Sequence, residues 1–409
     1  MAQRNIWMDI YSVGYSNVSI STVANASFGI PLLNHPNFEA GTQTINQRKA
    51  TGTSYRQGQT GMEYQQGSAV PTTSYEFDVN YANLSHILWA FFQSSAFQGT
   101  GAPYVKYFIP YESPTSEVWL TLVRKLAASG TGSSHQIAGA QPKTLALSCE
   151  EGQPLKATVE FQGYSFVDTR DVASDTLTFS AVAPLLWQNA TITLAGSAIN
   201  VPGFNLTVNN NLVTKFHDNA TAVRHLLGDL TVEGTIRVPW SDTNRGGNTE
   251  LDAFINGTVS RLVISWGSGV TNGIATTTGD FSIVSHIRRT SSAIVGDDEL
   301  MTEINFEGVC EESTSSFSTA SASSVAIAGS TAITGTNTTL NNLDPGDLFY
   351  GVGLSAAGDK TVRVLVTIPG ATSATAFPAF SGTEGSKLYH AKSTPITITI
   401  ADNQNISGM

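Results

Sequence analysis

The chain has 409 residues, enough for two or three domains each with its own core. Apolar residues make up 41% and charged residues only 13%, against about 25% charged in a typical soluble protein; this excludes a protein of long solvated helices and points to a surface covered by neighbouring subunits. A net charge of -11 argues against DNA binding by counterion release, and two cysteines, Cys149 and Cys310, exclude a disulfide framework or a cysteine-based zinc site.

From the N-terminus, Met1–Trp7 lacks the apolar core of a signal peptide, and no apolar run approaches the ~20 residues that span a bilayer. A cytoplasm-like site of synthesis and assembly is therefore expected. Asn5–Tyr15 is a first strand-like run and Val18–Ala24 alternates. Leu33–Gln66 is polar, rich in Gly, Gln and Thr, with a small basic cluster of Arg48, Lys49 and Arg56. It has little to bury, and a tract this long reads either as a mobile loop or as an arm that orders against a neighbouring subunit. Thr73–Val79 alternates as a strand. Asn83–Gln93 carries apolar Leu84, Ile87, Leu88 and Phe91 at helical spacing, with Asn80 or Asn83 as cap. Tyr104–Tyr111 and Val118–Ala128 read as strands, and Gly130–Gln141 as a flexible Gly/Ser loop.

Lys143–Phe166 is a strand, an acidic turn at Glu150–Pro154 and a second alternating strand, KATVEFQ, closed by Gly163. Strands follow at 191–194, 203–208, 212–216 and 230–238. Thr249–Asn256 is a second short helix with a glycine stop at Gly257. Leu262–Trp266 and Phe281–Arg288 are strands, Gly296–Glu299 is again an acidic turn, and MTEINFEG repeats the pattern of KATVEFQG. Phe161 and Phe306 of the two phrases lie about 145 residues apart, one domain length. Strand, single short helix, strands, acidic turn and Phe-x-Gly thus occur twice in the same order, which predicts a tandem duplication. The expected organisation is a first unit over 1–167, a second over 168–312, a Ser/Thr/Ala-rich linker over 313–324 and a C-terminal Ig-like β-sandwich over 325–409 with a turn at Asp344–Asp347. The fold class is all-β, with one short helix per repeat.

No constellation carries chemistry. There is no G-x-S-x-G elbow or H-E-x-x-H. His217, Asp218 and His225 form the only local His/Asp grouping and read as surface or loop residues. Glu150-Glu151 and Asp297-Asp298-Glu299 lack the ligand pattern of a calcium loop and read as turns. Gly267–Gly273 lacks the lysine and glycine order of a phosphate loop. Catalytic, cofactor-binding and metal-binding residues are all expected to be absent.

The phrases SYEFDVNYANLSHILWAFFQ, TLALSCEEGQPLKATVEFQGYSF, SAINVPGFNLTVNNNLVTKF and ELMTEINFEGV, in that order, resemble the tail tube proteins of long-tailed bacteriophages across Met1–Glu312. The resemblance implies a β-sandwich unit with one flanking helix whose strands line a channel, self-association into stacked rings, contacts with tape-measure and tail-terminator proteins, and passage of DNA without specific binding. It places the chain in the virion tail. Most members carry one unit and form hexamers; two units imply a trimer with six units per ring. The C-terminal domain is then an outer decoration, which would clash with a sheath and so implies a non-contractile tail. The other class the sequence suggests is a β-rich receptor-binding or adhesin tail protein, on account of the Ser/Thr-rich terminal domain.

Overall fold

The computed structural model describes residues 10–16, 23, 25, 28–48, 62–93, 95–98, 104–110, 118–125, 134–170, 178–179, 182–216, 224–240, 248–267, 280–296, 300–310, 312–313, 324–328, 332–336, 347–351, 363–370, 373–377, 383–387, 389–392 and 394–402. The architecture is all-β with two short helices among these residues. The first half contributes β1 (Ile10–Ser16), β2 (Phe28–Ile30), β3 (Thr42–Arg48), β4 (Met62–Ala69), β5 (Thr72–Asp78), α1 (Ser85–Phe92), β6 (Ser95–Gln98), β7 (Tyr104–Phe108), β8 (Trp119–Lys125), β9 (Ser134–Glu150), β10 (Lys156–Gln162) and β11 (Ser165–Arg170). The second contributes β12 (Thr178–Phe179), β13 (Ala190–Leu194), β14 (Ser197–Ala198), β15 (Gly203–Asn209), β16 (Val213–Lys215), β17 (Arg224–Leu226), β18 (Thr231–Pro239), α2 (Asn248–Ile255), β19 (Val259–Trp266), β20 (Asp280–Val295) and β21 (Met301–Gly308).

Seven of these strands form one antiparallel run in the order β5, β10, β9, β15, β18, β21, β20. Period-two alternation makes the run two-faced. Tyr75, Phe77, Leu145, Leu147, Ala157, Val159, Phe161, Leu206, Ile236, Ile304 and Phe306 point into one continuous core. Tyr75 and Phe161 meet edge to face at 5.2 Å, an arrangement aromatic pairs favour.

The β9–β10 and β20–β21 hairpins share their irregularities. Glu160 pairs with Thr144 and Phe161 with Pro142, so Lys143 is skipped; Asn305 pairs with Ser291 and Phe306 with Arg289, so Thr290 is skipped. Each bulge therefore sits beside the phenylalanine of a Phe-x-Gly phrase. The glycines that follow allow close approach. A Cβ on Gly163 would lie 2.1 Å from Ile137 Cγ2, and one on Gly308 would lie 2.7 Å from Val232 Cβ and 2.9 Å from the Pro395 carbonyl.

Helix α1 buries Leu84, Ile87, Leu88 and Phe91, the apolar stripe expected from spacing. The two asparagines act on the turn before it rather than as its cap. Asn80 Oδ1 accepts from the Ala82 and Asn83 amides, Asn83 Oδ1 accepts from the Asn80 amide, and Leu84 stands at the N-cap without a side-chain bond. The helix ends on Gln93 in the left-handed region, whose side chain accepts from the Val118 amide and donates to the Val118 carbonyl. Helix α2 closes on Gly257, at φ +60°, with the Gly257 amide donating to Phe254.

Two stretches expected as loop or arm are strands in the structure. Residues 134–141, expected as a loop, are the first half of the 17-residue β9. Ile137, Ala138 and Ala140 are fully buried there, with β8 on one edge and β11 on the other. Small residues fit that crowded position, and burial on both faces removes the alternation that marks a strand. Residues 42–48 and 62–66 of the expected arm belong to the hairpin β3–β4, whose second strand runs on to Ala69; 49–61 lie outside the described residues.

The C-terminal part supplies β22 (Glu312–Ser313), β23 (Ser324–Ala328), β24 (Ala332–Thr336), β25 (Leu348–Gly351), β26 (Arg363–Gly370), β27 (Ser373–Phe377), β28 (Thr383–Lys387) and β29 (Tyr389–Lys392), a separate eight-stranded sheet among the described residues. The linker residues 314–323 and turn residues 344–346 lie outside them. The last strand, β30 (Thr397–Asp402), does not join that sheet. It inserts between β20 and β7 in the large one, with Ile396, Ile398 and Ile400 fully buried.

Candidate functional site

The solvent side of the seven-stranded run is a polar surface. Its residues lie in rows across all seven strands. One row reads Glu76, Thr158, Ala146, Thr207, Glu233, Glu307, Arg288; the next reads Asp78, Lys156, Ser148, Asn205, Thr235, Asn305, Ser291. Glu160, Glu150, Arg237 and Glu303 extend the same face. The carboxylates of Glu76, Asp78, Glu150, Glu160, Glu233, Glu303 and Glu307 thus share it with the cations Lys156, Arg237 and Arg288.

Two of those cations are committed. Arg237 Nε donates to Glu303 Oε2 at 2.8 Å, and Arg288 Nε donates to Glu307 Oε1 at 2.8 Å. Glu233 stands directly opposite Glu307, a like-charge pairing that Arg288 offsets. Between the ion pairs, Thr235 Oγ1 donates to Asn305 Oδ1 at 2.6 Å and Asn305 Nδ2 donates to Ser291 Oγ at 2.8 Å. Desolvation raises the Asp78 carboxyl; Lys156 opposite pulls it down and Glu76 pushes it up. Two open depressions of about 710 and 490 Å³ lie on this face, the first bordered by Glu150, Asn205, Arg237 and Glu303 and the second by Glu233, Asn305 and Glu307. Their rims are acidic and amide-rich, a surface that repels phosphate and offers no apolar cleft to a small molecule.

The residues weighed from sequence as chemical candidates are not brought together. Cys149 is buried on β9, where burial pushes its thiol up to about 11, and Cys310 is exposed. His225 is buried on β17 beside Thr214 Oγ1, and burial holds it at about 4. Glu150 and Glu151 lead into a turn at Gly152, φ +76°. His217, Asp218, 268–273 and 297–299 lie outside the described residues. Among the described residues no group of three His, Cys, Asp or Glu side chains could hold a metal ion, and no helix is long and apolar enough to cross a membrane.

Sequence reading missed the face itself. Its signal was the charge at alternate positions of separate strands, such as Glu76, Glu160, Glu233 and Glu303, but which strands neighbour one another is set by long-range pairing. No curated protein matches the chain. Residues 17–308 match the family model described as phage tail tube protein, and this span contains both halves of the seven-stranded run. The chain belongs to the phage tail tube protein family, structural components of the virion tail.

Proposed function

We propose that the chain carries two tandem tube units and polymerises into stacked rings, three chains and six units to a ring, whose channel conducts DNA to the host. The observation that carries this reading is the uninterrupted seven-stranded sheet with an acidic solvent side. A wall of that kind presents main-chain hydrogen bonds along its length and repelling charge to passing phosphate. DNA crosses it without being held. Tape-measure and tail-terminator proteins meet the tube at its inside and its end.

Equivalences in pairing support the unit boundaries of this reading. β5 and β18, α1 and α2, β8 and β19, β9 and β20, and β10 and β21 occupy matching places. The hairpins β3–β4 and β16–β17 both precede the first of these strands. β11 lies along the first half of β9 as β30 lies along the first half of β20. On this reading the second unit is closed by 394–402, and the eight-stranded sheet of 312–392 is an insertion between β21 and β30 that decorates the outside of a non-contractile tail.

Electron microscopy of the purified protein tests the proposal. Hollow filaments of constant diameter, with six similar densities around the axis, are expected. A protein that stays in discrete monomers at high concentration would overturn it.

A further inference from the structure

Inside the chain, one of the strand-to-strand seams that join the two halves lies within the seven-stranded run. β15 lies along Thr144–Glu150 of β9, with Leu206 opposite Leu147 and Thr207 opposite Ala146, and its other edge is taken by β18. The matching parts of the seam recur at the two ends of the seven-stranded run. At one end, Glu39 pairs with Thr72 of β5 in the place where Thr207 pairs with Glu233 of β18: the Glu39 and Thr72 amides and carbonyls exchange hydrogen bonds at 3.0 and 3.1 Å, and the Leu33 amide donates to the Glu76 carbonyl outside that register. At the other end is Ser291–Val295, which corresponds to Thr144–Ser148 through the shared bulge. One edge of it is paired with β21; β19 occupies the opposite edge only as far as Arg288. Among the described residues no strand continues along that edge.

Exposure marks the difference. Leu147 is fully buried, whereas Ile294, in the corresponding place and on the core side opposite buried Thr302, is 59% exposed. An aliphatic side chain on the core side of a sheet edge is a covered position whose cover is missing.

We propose that Ser291–Val295 pairs antiparallel with residues 37–41 of a second copy of this chain, in the register of the β9–β15 seam, so that Glu39 of one copy faces Ala293 of the next and Phe38 faces Ile294. This rests on the ring reading above and names the contact that closes it. The occupant is a second copy because the chain holds both halves of the seam, one at each end of a single sheet, too far along that sheet to meet each other. The contact is head-to-tail, which closes rings. It also accounts for the second helix. Asn210, immediately past β15, donates to the Phe91 carbonyl at the end of α1 at 2.7 Å; in the neighbouring copy the start of β3 takes that place over α2, whose Leu251, Phe254 and Ile255 are exposed.

Because Glu39 bonds towards β5, its pairing with Ala293 is of the non-hydrogen-bonded kind, with Cα atoms close enough for a disulfide. In a Cys310→Ser background, the chain carrying Glu39→Cys and Ala293→Cys is expected to form covalent ladders on oxidation of the assembled material. The chain carrying Glu39→Cys and Ile294→Cys, one residue out of register and on the other face, stays at the level of the single-cysteine chains. Ile294→Asp is expected to raise the critical concentration for assembly on the order of 10- to 100-fold. Should the cysteine chains misfold, hydrogen exchange of the unaltered protein decides: 289–296 and 35–41 gain protection on assembly. Tubes that form without the in-register cross-link, or without that protection, overturn the seam and leave the ring reading standing. Absence of any assembly overturns both.

Discussion

Arg289 and Glu250 form an ion pair with neither side chain exposed, at 2.6 Å, across the contact between β20 and α2. The guanidinium also donates to Ser260 Oγ at 2.9 Å and the Thr258 carbonyl at 3.1 Å. The pair ties the second helix to the sheet, whereas the first helix is held by the apolar packing of Leu84, Ile87 and Phe91.

Removing one partner leaves a buried charge alone. Glu250→Gln or Arg289→Met is expected to lower the stability of the unassembled chain by about 3–5 kcal/mol, and the double change Glu250→Leu with Arg289→Met to recover most of the loss. Urea denaturation of the four chains measures this. Equal losses in the single and double variants would contradict the assignment.

The glycines of the two Phe-x-Gly phrases are expected to resist even a methyl group. Gly163→Ala pushes a Cβ into Ile137, and Gly308→Ala pushes one into Val232 and the Pro395 carbonyl. Each is expected to cost about 1–3 kcal/mol, as overpacking does, read as a drop in Tm. An unchanged Tm at both positions would show that β9 and β18 give way freely.

Acid should weaken the fold before carboxylates titrate. Burial, with Lys106 nearby, holds His86 at about 4, and burial holds His225 at about 4, against 6.5 for free histidine. Both folded values are depressed, so the unfolded chain takes the proton first. The stabilisation is complete above 6.5 and is lost as pH falls towards 4, at about 1.4 kcal/mol per pH unit for each histidine. Asp78, whose carboxyl is raised, runs the other way only at the acid end. Denaturation midpoints taken from about pH 7 to about pH 5 should fall, and less steeply in His86→Asn with His225→Asn. A flat profile in the unaltered chain would count against both sites being buried and neutral.

Reversing charge on the acidic face tests the channel. Glu76→Lys, Glu160→Lys and Glu233→Lys together are expected to leave assembly intact, since wet surface positions contribute within about 0.5 kcal/mol each. The resulting tubes should retain duplex DNA, with binding that falls steeply between about 50 and about 200 mM salt. Cosedimentation reads both. Equal retention by unaltered and reversed tubes would mean that this face does not meet the DNA.

The wet-faced strands were legible in the sequence because one side of each is polar. Thr72–Asp78, Lys156–Gln162 and Met301–Gly308 alternate as cleanly in the structure as in the letters. Both helices fall within a residue or two of their apolar and glycine signals. The first half of β9 was hidden because its Gly, Ala and Ser serve a crowded strand, and composition alone reads them as a loop. The Glu250–Arg289 pair was hidden because Glu250 is also an ordinary first-turn acid of α2, and nothing local connects it to β20. The place of β30 was hidden for the same reason. TITIAD is plainly a strand, but its partners, β7 and β20, lie far back in the chain.

That last pairing has a consequence for how such a chain can vary. The backbone leaves the large sheet at Val309, whose amide donates to the His286 carbonyl, and re-enters at Thr394, whose carbonyl meets His286 Nδ1 at 3.3 Å. Exit and entry are therefore pinned to the same residue. In the first half the corresponding step is a direct joint, with Gly163 donating to Pro71 and Tyr164 to Ala138. On the insertion reading, exchanging the residues between Val309 and Thr394 for another module is expected to leave the pairings of β20 with β21 and β30 unchanged. The position is a natural socket for displaying one foreign domain per chain.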